Sequence, residues 1–162
     1  MTSIELMNNL ADYLQQIVDD YSSNQKAGAV PVAVYSGWPP VRKNAAEKES
    51  FIYALALSWE DKEDDSFSTC KVEIGFSIYD NDETEGCFSL YNIMEHVRQA
   101  LLKKRTLSGR NRLELPLKSE VTDEQAFPQW YGRITAVYTI GQPSEEEVDY
   151  GEIYGGQTIG DQ

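Results

Sequence analysis

An α+β fold follows from three features of this sequence: two stretches with helical apolar spacing, several stretches of alternating large and small or polar residues, and turn residues between them. The expected architecture is a two-layer α+β sandwich. A largely antiparallel sheet of about four or five strands would carry two amphipathic helices packed on one face, in the order α-β-β-β-α-(β)-β.

The opening segment sets Leu6, Leu10, Tyr13, Leu14, Ile17, Val18 and Tyr21 on one stripe at helical spacing, and Thr2 followed by Glu5 fits a capping box. A helix is expected over residues 3–21. Ala29 to Tyr35 reads as a short strand, ended by Ser36-Gly37-Trp38-Pro39-Pro40, where the prolines forbid further regular structure. Phe51, Tyr53, Leu55, Leu57 and Trp59 alternate with Ile52, Ala54, Ala56 and Ser58, and Val72, Ile74, Phe76 and Ile78 alternate with Lys71, Glu73, Gly75 and Ser77. Both are strands. The self-repelling run Glu60 to Asp65 between them is expected to be a solvated hairpin loop.

A second helix places Leu90, Ile93, Met94, Val97 and Leu101 on one face and Asn92, Glu95, His96, Gln99 and Lys103 on the other. It closes on Lys103, Lys104 and Arg105, which suit the negative end of the helix dipole. Leu107 to Leu117 holds a turn at Ser108-Gly109 and a possible short strand, and Gln129 to Ile140 is the last strand, with Ile134, Ala136, Tyr138 and Ile140 on one side.

The 162 residues suffice for one domain with a real core. Fourteen basic against 27 acidic side chains leave a formal charge of −13, which repels polyanions and weighs against nucleic-acid or anionic-membrane binding. Gly141 to Gln162 carries six acids and no base. Residues 143–162 are therefore expected to form a flexible acidic tail after a single domain at 1–142. Two cysteines are too few for a disulfide scaffold, and no signal-peptide pattern or membrane-length apolar run occurs.

Little in the sequence points to catalysis. The one histidine, His96, falls on the polar face of its helix and is expected to be a plain surface residue. Cys87, placed just before that helix, has no nucleophile motif around it. Asp80 to Gly86 departs from a calcium loop, with Glu85 where glycine belongs and Tyr91 where the closing glutamate belongs. No catalytic residue, cofactor or metal is expected. Material for protein contacts is present: Trp38, Pro39, Phe127, Trp130 and Tyr131 place rings beside prolines outside regular elements. Charge is also clustered, with Asp61, Asp64 and Asp65 in the acidic hairpin, and with Arg105, Arg110 and Arg112 in a basic block that also holds Arg98, Lys103 and Lys104. Such patches suit a head-to-tail contact between copies.

Four motifs bear a family resemblance in their order: Tyr35 to Pro40; the acidic hairpin ahead of a strand ending in Tyr79-Asp80; Glu85-Gly86 leading into the helix patterned from Leu90 to Leu102; and Leu115-Pro116-Leu117 followed by Glu124 to Gly132. Together they resemble the tail terminator, or tail completion, proteins of long-tailed bacteriophages, over roughly residues 28 to 142. The resemblance implies a small α+β virion protein that assembles in the host cytoplasm as a homo-oligomeric, hexameric ring. The ring would cap the head-proximal end of the tail tube, stop polymerisation of the major tail tube protein and present a surface to the head-tail connector or neck protein. DNA would pass through without specific binding, and no membrane is involved. The acidic hairpin and tail would line the lumen or order against neighbours. Two other readings remain open on the residues alone: a different neck protein, and an acidic DNA-mimic inhibitor of a host enzyme.

Overall fold

Thr2 and Glu5 form the reciprocal cap that their spacing predicts: the Thr2 N–H donates to Glu5 Oε2 at 3.0 Å and the Glu5 N–H donates to Thr2 Oγ1 at 3.2 Å. The computed structural model describes residues 2–23, 31–40, 49–63 and 67–146. From the cap, helix α1 (Ser3–Ser23) runs slightly beyond its expected end and buries Leu6, Leu10, Leu14, Ile17 and Val18. Helix α2 (Gly86–Lys103) buries Leu90, Ile93, Met94, Val97 and Leu101, the face read from the periodicity. Neither helix is long and apolar enough to cross a membrane.

The fold is α+β, and its sheet departs from the expectation in strand number and in shape. It has six strands in the order β1-β2-β3-β6-β5-β4, formed by β1 (Val32–Ser36), β2 (Ser50–Glu60), β3 (Phe67–Tyr79), β4 (Thr106–Leu107), β5 (Asn111–Val121) and β6 (Gln129–Gly141). It is largely antiparallel, as expected, with β1 alone running parallel to its neighbour β2. It also forms a half-barrel instead of the flat layer of a sandwich. Strand twist, with register shifts at Ala56/Ser58 in β2 and at Glu114/Lys118 in β5, accounts for the curl.

The extra strand comes from the single stretch expected at 107–117. A tight turn divides it, with φ of 51° at Ser108 and 64° at Gly109, and the Arg110 N–H donates to the Leu107 carbonyl at 2.9 Å. The turn leaves Ser108, Gly109 and Arg110 between Leu107 and its partner Asn111, and glycine adopts its positive φ there without penalty. β5 then continues past Pro116 to Val121, since the displaced register lets the chain resume pairing with β6 at Lys118.

One apolar cluster joins the buried faces of both helices to Ile52 and Ala54 of β2, alternate residues of β3 from Cys70 to Ile78, Leu107, Leu113, and Ile134 to Ile140 of β6. Gly132 lets α2 approach β6, because a Cβ there would stand 2.5 Å from Met94 Sδ. Cys70 lies wholly inside, and burial pushes its thiol pKa up, which makes it an inert core residue.

Candidate protein interface

The small residues of β2, not the large ones, face the helices, so Phe51 and Tyr53 are turned to the opposite side of the sheet. There the Tyr53 ring lies over Gly75, its cross-strand partner, where an added Cβ would meet Tyr53 Cζ at 1.9 Å. Tyr35 and Phe51 meet edge to face at 6.1 Å between centroids, and the Phe51 and Tyr53 rings lie tilted at 34° and 6.3 Å apart. This outer face holds a concavity of about 350 Å³, lined in part by Trp38, Pro39, Phe51, Tyr53, Tyr131 and Arg133. A second hollow of about 710 Å³ adjoins it, sharing Thr122 and Arg133.

Polar groups on the same face form a chain. Arg133 donates to Glu120 Oε2 through Nε at 3.0 Å and NH2 at 2.8 Å, Lys118 Nζ stands 2.8 Å from Glu120 Oε1, and Arg133 NH1 stands 3.9 Å from Glu73 Oε1. Hydrogen bonds from Lys118 and Arg133 hold the Glu120 carboxyl below its ordinary pKa, and Glu120 raises that of Arg133. Tyr53 is raised in pKa first by burial and then by the adjacent Glu73. The face thus sets exposed and half-buried aromatic rings beside a fixed charge network.

Of the expected contact residues, Trp38, Pro39 and Tyr131 come together at this concavity, and Trp38 is 81% exposed. Phe127 is exposed and stacks edge to face on Trp130 at 6.1 Å. Trp130 itself is half-buried against the core, with its indole N–H donating to the Asp80 carbonyl at 3.0 Å, so it serves the packing beside α2. Asp64 and Asp65 lie outside the described residues.

Asp61 does not sit in a freely solvated loop. It accepts the Ser68 hydroxyl, while Gln142 Oε1 accepts the Lys62 N–H and the Ser68 hydroxyl, each at 3.0 Å, fastening the hairpin to the end of β6. Arg105 donates from Nε to the Leu102 carbonyl at 3.1 Å, supporting the C-terminal end of α2. Arg110 and Arg112 are exposed, whereas Arg98 pairs with Glu95 at 3.1 Å and Lys104 stands 4.8 Å over the Tyr13 ring.

The acidic hairpin and the basic corner occupy one end of the sheet. Glu60 pairs across to Thr69, Thr69 to Thr139, the Arg112 N–H donates to Thr139 Oγ1, and Arg112 pairs with Thr106. Glu60 and Arg112 thus share one cross-strand row, three strand spacings or about 14 Å apart. The second acidic run, at Asp80 to Glu85, lies at the other end, beside the Tyr79 and Gln129 pair. Two of its carboxylates, those of Asp80 and Asp82, are occupied with the turn. Asp82 Oδ1 accepts the Thr84 and Glu85 N–H groups, which lower its pKa, and Asp80 accepts the Ser89 hydroxyl.

One residue expected to be a plain surface residue packs at a helix contact. His96 is half-buried, its ring 5.2 Å from that of Tyr21, where α1 and α2 meet. Cys87 belongs to the first turn of α2 and is half-buried. Among the described residues no group of three or more His, Cys, Asp or Glu side chains is placed to hold a metal ion. The contribution of Phe51, Tyr53, Glu73, Glu120 and Arg133 was missed from sequence. The alternation in β2 offered the signal, since Phe51 and Tyr53, two residues apart, had to face one side together.

No protein-family model and no curated protein matches this chain. One solved structure aligns with 89% of this chain and 100% of its own, at 15% identity and a TM-score of 0.44.

Proposed function

We propose that this chain is a structural virion assembly protein that forms a ring on the head-proximal end of a phage tail tube, ends tube polymerisation and provides the head-joining surface. The observation that carries the proposal is the placement of opposite charges on opposite sides of one sheet end, Glu60 and Asp61 on one flank and Arg110 and Arg112 on the other. Such a subunit is complementary to itself head to tail, which is how closed rings are built. The ordered motifs between residues 28 and 142 supply the phage context. The outer face with Trp38, Tyr53 and Tyr131 is the surface for the tube or neck partner. Phage lacking the gene should accumulate unjoined heads and tails of irregular length. Normal joined tails from the null phage overturn the proposal.

A further inference from the structure

β2 is covered on its outer flank for only part of its length. Strand β1 pairs with Ser50 to Ala54, and the Gly37 N–H closes that pairing on the Ala54 carbonyl at 2.8 Å. From Leu55 to Glu60, β3 is the only strand neighbour of β2 among the described residues. An open edge normally carries a lysine, a proline or a very short strand as protection against pairing with another chain. This one reads Leu55-Ala56-Leu57-Ser58-Trp59-Glu60, with Leu57 48% and Trp59 59% exposed, and it carries no lysine or proline, only the displaced register between Ala56 and Ser58. A register shift between Ala56 and Ser58 turns Trp59 to the side of Cys70, yet it stays out in solvent.

The opposite flank of the sheet differs. Along β5, Pro116, the displaced register between Glu114 and Lys118, and Lys118 itself blunt the edge. What that flank leaves accessible is the β4–β5 corner, with Thr106–Leu107 outermost and Arg105, Arg110 and Arg112 around it. Four successive antiparallel pairings from β2 through β3, β6 and β5 to β4 make β4 parallel to β2, the sense in which β2 already accepts β1. The cross-strand row places Thr106 level with Glu60.

We propose that the uncovered half of β2 docks on the β4–β5 corner of a second copy, so that the sheet continues from subunit to subunit. A sideways shift along the sheet sets Glu60, Asp61 and Glu63 of one copy against Arg105, Arg110 and Arg112 of the next, and covers Leu57 and Trp59. The neighbour's corner extends the line of β1 along the same flank. This rests on the head-to-tail self-association proposed above and assigns its contact.

The test is sedimentation of the full-length chain from micromolar to millimolar concentration in low salt. The unaltered protein should associate, and Leu57→Lys with Trp59→Lys should weaken association by roughly tenfold or more. The circular dichroism and melting temperature of that double variant should stay unchanged, as both side chains are exposed. Glu60→Arg with Asp61→Arg, and separately Arg110→Glu with Arg112→Glu, should each leave monomers, while an equimolar mixture of the two should reassociate. If the unaltered chain associates but the lysine variant matches it, or the mixture stays monomeric, this contact is wrong and the ring survives. A chain that stays monomeric throughout overturns the contact and the ring together.

Discussion

Replacing Tyr138 by phenylalanine should make this protein more stable. The Tyr138 side chain is 0% exposed at the centre of β6, and its hydroxyl has no hydrogen-bond partner among the described residues. An unsatisfied buried hydroxyl costs about 1–3 kcal/mol in lost hydration. Removing the oxygen leaves the ring contacts in place and opens a void of about 10–15 Å³, which costs roughly 0.3 kcal/mol. The balance is a gain of about 1 kcal/mol or more, corresponding to a melting temperature higher by about 2–4 °C per kcal/mol for a chain of this size. Burial, with a smaller effect from Tyr13, raises the Tyr138 pKa above its ordinary value. Its contribution to stability is therefore intact below the unfolded phenol value near 10 and is lost as the pH rises above it. Urea unfolding at neutral pH and again above pH 10 measures both effects, and Tyr138→Phe should also blunt the alkaline loss. A variant less stable than the parent by about 1 kcal/mol would refute the reasoning, because it would show that the hydroxyl is satisfied.

Three further outcomes follow from particular contacts. Gly75→Val should destabilise the protein by about 1–3 kcal/mol in urea unfolding, because its side chain enters the space of the Tyr53 ring, and adding Tyr53→Ala should recover part of the loss. Gln142→Ala should cost about 1–2 kcal/mol and speed hydrogen exchange at the Lys62 amide, since it removes the acceptor that fastens the acidic hairpin to β6. The Asp82 carboxyl is held below its ordinary pKa by the Glu85 and Thr84 N–H groups, so its support of the turn is present above the unfolded aspartate value near 4 and is lost as the pH falls through the lower folded one. Asp82→Asn should accordingly flatten the acid limb of the stability profile below about pH 4.

Both helices were legible because their apolar positions recur at a spacing that only a helix brings to one side. The same residues, from Leu6 to Val18 and from Leu90 to Leu101, are the ones buried. The Thr2 and Glu5 cap was legible for a similar reason, as its partners are three residues apart and need nothing distant. Alternation likewise marked β2, β3 and β6 as strands. It did not say which side of β2 faces inward, since Ile52 with Ala54 and Phe51 with Tyr53 are both apolar sets. The turn at Ser108-Gly109 was legible, but the continuation of β5 to Val121 was hidden, as it depends on β5 resuming its pairing with β6 after Pro116.

Local sequence determined the elements, the caps, the acidic and basic clusters and the inward residues of the helices, because each of these depends on spacings of a few residues. Tertiary structure decided what those parts do together. Only strand pairing put the acidic hairpin and the basic corner at one end of the sheet and left the other acidic run at the opposite end. Only strand pairing showed that β1 covers β2 from Ser50 to Ala54, leaving its second half without a second strand neighbour among the described residues. Cross-strand neighbours are dozens of residues apart in the chain, and their register is set by which side of each strand the whole core accepts.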